Sequence, residues 1–329
     1  MSGRRRDFLA GICALLIHLC STEWRGLHKQ PRMLPLVTSR IALGESAITT
    51  LICNPVLQRA GRDLTDRTGL AQWRLFFCCP GLGTLPSPVM PTHASSLPRR
   101  QVLCFSAALI LPLLLLACLP WQPFMSQALH SDWLWWPYAL TRMVDVPGIA
   151  VSILALLLLT RHKLTLSLPA LLALGSALFA VLAGDWLIKS LIKHLTEEPR
   201  PYLLWLESQQ LIPAIQQFYA GKVEVRSEQV HAASQLLALP EWLANHWQAE
   251  VNYAFPSGHS IAAMSLAQFF GLIWLARAPA GAWLLPLWAI GVGLSRMLIG
   301  MHWPLDVLAS ALLGSLTALF AARWWLRHY

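Results

Sequence analysis

Eight residues on three short stretches carry the groups with which this sequence could do chemistry: Lys193 and Arg200, then Ser257, Gly258 and His259, then Arg296, His302 and Asp306. The first stretch runs Lys193-His-Leu-Thr-Glu-Glu-Pro-Arg200-Pro201. A lysine point charge and a planar arginine fork together suit the oxygens of a phosphate. Pro199 and Pro201 flank Arg200 and predict an extended chain there. In Phe255-Pro256-Ser257-Gly258-His259, the residues ahead of an apolar run predict a helix N-terminus, whose free N–H groups and dipole favour an anion. Gly258 admits close backbone approach, and His259 can protonate a leaving oxygen. In the third stretch, Ser295-Arg296 precedes His302-Trp303-Pro304-Leu305-Asp306. Pro304 fits a first helical position, which puts Asp306 in the first turn and within reach of His302. A carboxylate that accepts one ring proton leaves the other nitrogen free to attack.

Each stretch alone has a plainer account: basic residues that snorkel to an interface, a simple N-cap, a structural His–Asp pair. The elements that must position them decide between the readings. The chain is 56% apolar and only 12% charged, against about 25% charged in an ordinary soluble domain. Its mean hydropathy is +0.50. This composition and the apolar runs predict an all-α integral membrane fold, a six-transmembrane-helix bundle with a small helical insert outside the membrane. A span of roughly 20 residues crosses a bilayer of about 30 Å, and apolar runs place helices near 101–119, 143–160, 166–188, 259–276, 281–301 and 304–324. The more polar insert, about 201–252, contains two helix-like stretches, Val225–Leu239 and Trp242–Ala249, separated by Pro240. Trp133, Trp135, Trp136 and Tyr138 suit a membrane–water interface or a packed loop.

Arg99, Arg100, Arg161, Lys163, Arg277, Arg323 and Arg327 fall on one face of these spans. The opposite face has Arg142, Lys189, Lys193 and Arg200 alongside several carboxylates. The positive-inside rule then puts both ends of the six-helix unit in the cytoplasm and the insert outside. By parity the third helix exits outward, the fourth returns, the fifth comes back and the sixth starts outside. All three stretches therefore meet on the outer face. Two histidines, a carboxylate, three basic residues and a helix N-terminus on one face point to phosphoryl transfer through a histidine, where catalysis is positioning and charge stabilisation. Asp185, the remaining charge within a span, lies four residues before Lys189 and predicts a helical ion pair.

A net charge of +9 would in a soluble protein suggest nucleic acid. Its location excludes that partner. Residues 1–98 hold 11 basic and 5 acidic groups, a net of +6, while 99–329 hold 14 and 11, a net of +3. Residues 1–98 show no sustained helix or strand period and read as a non-native or disordered extension, with Met90 as the initiator. Arg4-Arg5-Arg6-Asp7-Phe8-Leu9 resembles a twin-arginine export signal, but no small-x-small cleavage site follows the apolar run. Cys13, Cys20, Cys53, Cys78 and Cys79 all lie in this part, and no cysteine spacing is that of a zinc site. The six-helix membrane domain is then 99–329.

The stretches K-x6-R-P at Lys193–Pro201, P-S-G-H at Pro256–His259 and S-R-x5-H-x3-D at Ser295–Asp306 resemble, in order and spacing, the three signatures of the type-2 phosphatidic acid phosphatase superfamily. The outer insert and Gly300-Met301-His302-Trp303-Pro304 resemble more narrowly its bacterial phosphatidylglycerophosphatase B branch. The resemblance covers about 99–329. It implies that His302 attacks phosphorus to give a phosphohistidine, oriented by Asp306, and that His259 protonates the leaving group. It implies that Lys193, Arg200 and Arg296 bind the phosphoryl oxygens with help from Ser257 and the Gly258 backbone, without metal or other cofactor. The implied substrates are phosphatidylglycerophosphate, phosphatidic acid, diacylglycerol pyrophosphate and undecaprenyl pyrophosphate. The implied setting is the bacterial inner membrane, with the site facing the periplasm. A phosphotransferase using the same histidine and a non-catalytic lipid transporter or scaffold are the alternatives. Haloperoxidases share the signatures but are soluble.

Overall fold

The computed structural model describes residues 97–329 apart from 120, 121 and 125. The export-signal resemblance and the expectation about Met90 therefore concern residues outside those described. Among the described residues the secondary structure is entirely helical, with eleven α-helices and two single 3₁₀ turns. They are α1 (Arg99–Cys118), α2 (Trp135–Arg142), α3 (Gly148–Leu164), α4 (Leu168–Thr196), α5 (Pro201–Ser208), α6 (Ile215–Ala220), α7 (Val223–Leu236), α8 (Glu241–Ala249), α9 (Gly258–Arg277), α10 (Leu284–Leu298) and α11 (Pro304–His328).

Four of these, α1, α4, α9 and α11, are long and apolar enough to cross a membrane. The expected fifth span is the shorter apolar helix α10, 15 residues long. The expected second span, α3, has 17 residues and ends on the basic run Arg161-His162-Lys163. It begins five residues later than expected, because Asp145-Val146-Pro147 forms a turn ahead of it. Helix α4 continues to Thr196, well past the expected end, and so carries Lys193 inside its last turns.

Helix α9 sits at the centre, packed against α11, α10, α4 and α1. Its sequence is apolar on every side, and buried residues run along it from Ser260 to Trp274, as a helix enclosed on all faces requires. Lipid-embedded helices associate by close backbone approach and interhelical hydrogen bonds, and both occur here. A Cβ at Gly314 of α11 would lie 2.5 Å from the Ile261 carbonyl oxygen of α9. The α9 hydroxyl of Ser265 donates to Asp185 at 2.5 Å, and Thr317 of α11 donates to the same carboxylate at 2.8 Å. This corrects the expected Asp185–Lys189 pair. Among the described residues Asp185 forms no ion pair with Lys189, because the carboxylate points toward α9 and α11, where two hydroxyls satisfy it.

The insert contains four helices, α5 to α8, two more than the two helix-like stretches expected. Pro201 starts α5 immediately after the extended Arg200. The insert has its own apolar core around Tyr202, Leu206, Phe218, Val230, Leu243 and Trp247, joined by Ile299 and Met301 from the segment after α10. The Tyr202 N–H donates to the Gly300 carbonyl at 3.0 Å and the Trp247 indole to the Ile299 carbonyl at 3.0 Å. Gly300 has φ +78°, and a Cβ there would come within 2.9 Å of both Phe124 and Tyr202. The left-handed turn and the absence of a side chain are both needed where the insert seats. Trp133, Trp135 and Trp136 are exposed, whereas Tyr138 is buried against Trp242 and His246.

Candidate functional site

Residues that open α9 and close α4, with His302 just ahead of α11, line one cavity. Ser257 caps α9: its side chain accepts the Ser260 N–H at 3.3 Å, and its own N–H donates to the Ser310 hydroxyl at 2.9 Å. Pro256 and Ser257 are buried, so the first turn of α9, with Gly258 and His259, faces inward instead of fraying into solvent. A Cβ at Gly258 would lie 3.0 Å from Cδ of Lys189, so the glycine makes room for that lysine's stem. Pro304 opens α11, and Asp306 caps it by accepting the Trp303 N–H at 2.8 Å. Trp303 in turn ties the turn to the end of α4, its indole donating to the Pro199 carbonyl at 2.9 Å.

A cavity of about 440 Å³ is lined by the charged and polar side chains of Asp145, Asp185, Lys189, Lys193, Arg200, Glu250, Asn252, His259 and His302. Ile149, Leu182, Trp186 and Ile261 line it as well. Polar and apolar walls thus meet in one space, beside the membrane-crossing helices.

Arg200 is fully buried and makes a full set of bonds. Its Nε donates to the Asn252 carbonyl at 2.7 Å, Nη1 to the Met301 carbonyl at 3.3 Å, and Nη2 to Glu250 at 2.6 Å and to the Asn252 side chain. Arg296 is equally buried, with Nη1 on His246 Nε2 at 2.7 Å and Nη2 on Glu250 at 3.4 Å. Its Nε has no partner. Glu250 therefore bridges the two guanidiniums, and Lys193 reaches Asn252 at 3.1 Å. Burial pushes the Glu250 carboxyl up, but Arg200 and Arg296 outweigh that and hold it well below the usual carboxylate range. Burial pushes the His302 imidazole far below its ordinary value, and Arg200, Arg296 and Lys193 push it further the same way. His302 is thus neutral, with a ring lone pair available.

The expected His302–Asp306 contact is 3.7 Å from Nδ1 to the carboxylate, longer than a hydrogen bond. The nearer duty of that carboxylate is the helix cap, and His302 Nδ1 is buried without a hydrogen-bond partner. His259 instead bonds through Nε2 to Asp145, which lies in the turn between α2 and α3. Burial raises the Asp145 carboxyl, yet the His259 bond and the nearby His246 and Arg296 charges leave it below its ordinary value, as a carboxylate.

All eight residues singled out in the sequence therefore lie around these helix ends. Lys193, Arg200, Gly258, His259 and His302 line the cavity itself; Ser257, Arg296 and Asp306 stand behind its wall. The residues that spacing did not reveal are Asp145, His246, Glu250 and Asn252. None belongs to a motif with His259 or the arginines. The one available signal was a carboxylate, Asp145, at the mouth of a span. Among the described residues, no group of three or more His, Cys, Asp or Glu is arranged to hold a metal ion.

Fold and site together define an all-α, membrane-associated helical bundle with several apolar spans and a cavity lined by three basic and three acidic residues and two histidines. Residues 168–329, from the start of α4, match the PAP2 superfamily, and that part of the chain belongs to it. It is homologous to bacterial phosphatidylglycerophosphatases of the B type. The protein so described in Escherichia coli (strain K12) is 41% identical over 158 residues, which is 45% of this chain and 60% of that one. The one in Haemophilus influenzae is 29% identical over 206 residues, 57% of this chain and 79% of that one. The chain thus spans about 60% of the length of the Escherichia coli relative. A solved transmembrane PAP2-type phosphatidylglycerolphosphate phosphatase from Bacillus subtilis aligns with TM-score 0.38 and 16% identity, over 69% of this chain and 84% of that one.

Proposed function

We propose that this protein is a lipid phosphate phosphatase that works through a phosphohistidine and needs no resident metal. The observation that carries the reading is that His259 and His302 line one cavity with Lys193 and Arg200, while Arg296, buried behind its wall, shares Glu250 with Arg200. Those three cations supply the charge stabilisation that a transferring phosphoryl group requires.

In this reading the phosphate enters among Lys193, Arg200 and Arg296, with the Gly258 backbone and Ser257 at the helix N-terminus beside it. Neutral His302 attacks phosphorus, a P–N bond forms, and the bond to the leaving oxygen breaks as His259 gives it a proton. Water then attacks phosphorus and the P–N bond breaks, with His259 taking the water's proton. Asp306 fixes the turn that holds His302 and comes within hydrogen-bonding reach of Nδ1 when the ring becomes charged. The apolar wall of Ile149, Leu182, Trp186 and Ile261 suits a substrate that is itself a lipid.

The proposed substrates are phosphatidylglycerophosphate, phosphatidic acid, diacylglycerol pyrophosphate and undecaprenyl pyrophosphate. The proposed setting is a six-span protein, with α3 and α10 as the two shorter spans, in the bacterial inner membrane. The insert 201–252 and the cavity then face the periplasm, and 99–329 forms the phosphatase domain. The test is phosphate release by detergent-purified protein from a panel of lipid mono- and diphosphates, with His302→Ala as the control. His302→Ala is expected to lower release by at least about a thousandfold while the variant still inserts and melts cooperatively. Retained turnover would remove the proposed nucleophile.

A further inference from the structure

We propose that Asp145 is the positioning residue for His259, holding the imidazole so that its Nδ1 delivers the proton to the leaving oxygen. This rests on the phosphatase reading given above. The pair joins residues 114 apart in sequence, and no motif links them. Both side chains stand at the cavity wall, 15% exposed each, where a hydrogen bond to a charged group is shielded from solvent.

The carboxylate is fixed on both sides. Oδ1 meets His259 Nε2, and Oδ2 takes a hydrogen bond from Arg142 Nη1 at 3.1 Å, so the plane of the group is set. The turn carrying it is also fixed. The Thr141 and Ser295 hydroxyls bond at 2.7 Å, both buried, and Ser295 immediately precedes Arg296. The Val144 N–H closes back on the Thr141 carbonyl at 3.0 Å, and Ile149 N–H on the Asp145 carbonyl at 2.7 Å. Asp145 is thereby referenced to the helix that bears Arg296, not to a free loop.

The chemistry follows from which nitrogen is taken. With Asp145 accepting from Nε2, the proton on that nitrogen stays in place and Nδ1 is left for the substrate. In the first step the Nδ1–H bond breaks, an O–H bond forms on the departing alcohol, and His259 is left neutral as its Nε2–H form. In the second step Nδ1 takes the proton from the attacking water. Each half-reaction balances without any other acid or base. Arg142, His246, Arg296 and Tyr138 are the other ionisable groups near Asp145, and Glu250 and Arg296 face His259. Arg142 reaches the second oxygen, leaving His259 as the partner of the first.

The test compares two substrates on purified full-length protein. One is a short-chain phosphatidic acid, whose alcohol must be protonated as it leaves. The other is 4-nitrophenyl phosphate, whose phenolate leaves without a proton. Asp145→Asn is expected to lower kcat for the lipid by roughly 10- to 100-fold, the worth of a charge-assisted hydrogen bond to the acid, with KM little changed. The pre-steady-state burst of 4-nitrophenolate, the first step without its need for an acid, should stay within about twofold of wild type, while the later hydrolysis of the phosphohistidine slows for both substrates. In a His259→Ala background the same substitution should have no further effect on the lipid. An aryl-phosphate burst slowed as much as the lipid's first step, or full additivity with His259→Ala, would overturn the assignment. Should Asp145→Asn fail to fold, ring 15N shifts of His259 in the wild-type protein across a pH titration decide instead: a neutral ring protonated on Nε2 supports the assignment and a neutral ring protonated on Nδ1 overturns it. If wild type releases phosphate from neither substrate, the failure is that of the phosphatase reading itself.

Discussion

Replacing Glu250 by glutamine would leave Arg200 and Arg296 facing one another without the carboxylate they share, at 2.6 and 3.4 Å. Both guanidiniums are fully buried. Removing one partner of a buried ion pair costs about 3–5 kcal/mol, because the remaining charge stays out of water. The Glu250 side chain is 21% exposed, and the cavity admits water, so the low end applies, about 3 kcal/mol. At roughly 2–4 °C per kcal/mol for a chain of this size, the melting temperature should fall by about 6–12 °C. The arginines are also the proposed phosphate site, and an anion there restores what the substitution removed. Inorganic phosphate or orthovanadate at about a hundred times its Kd adds about 2.7 kcal/mol to any protein that binds it only when folded. The variant, binding more tightly for want of its internal competitor, should reach that stabilisation at lower anion concentration than wild type. The assay is thermal unfolding of detergent-purified protein across a phosphate titration. A melting temperature within about 1 °C of wild type, or identical titration midpoints for the two proteins, would refute the reasoning.

Stability should also fall in acid in a way traceable to one side chain. Burial, then the Arg296 charge, pushes His246 down to about 3, whereas in the unfolded chain it titrates near 6.5. Between those values the unfolded state binds the extra proton, so the contribution of His246 is complete above about 6.5 and is lost as pH falls toward its folded value. His302 acts with the same sign, and Glu250 adds to the loss only below about 4.3. His246→Gln, which can still accept from Arg296, should therefore flatten the fall in melting temperature from pH 7 to pH 4; an unchanged slope would contradict this. Gly314→Ala forces a methyl to within 2.5 Å of the Ile261 carbonyl oxygen, and overpacking of that kind costs about 1–3 kcal/mol. Its melting temperature should drop accordingly, and wild-type stability would show that α9 and α11 are less closely packed than described. For hydrolysis, phosphate released should equal lipid donor consumed; a deficit with phosphorylated acceptor lipid would assign a phosphotransferase.

Much of the site was legible in the sequence because its residues sit at helix ends, and helix ends have local rules. Pro304 and Asp306 mark the start of α11, and Ser257-Gly258 mark that of α9, by the chemistry of capping alone. Arg200 between two prolines could only be extended, and it is. The long apolar runs fixed α1, α4, α9 and α11 because burial in lipid demands continuous hydrophobicity. Distance along the chain erased the rest. Which oxygen a histidine meets depends on how helices pack, and no spacing rule relates Asp145 to His259 or Glu250 to Arg296. The Asp185–Lys189 pairing failed for that reason: helical spacing made it available, but Ser265 and Thr317 from neighbouring helices offered Asp185 hydrogen bonds inside the bundle. The carboxylate of Asp306, close enough in sequence to serve His302, went to its own helix cap, where the Trp303 N–H is nearer. Sequence alone determined which groups could act, since local backbone preference and hydrophobic length are properties of short segments. Only the tertiary structure decided which of them touch, because contacts between helices depend on the shape of every side chain packed between them.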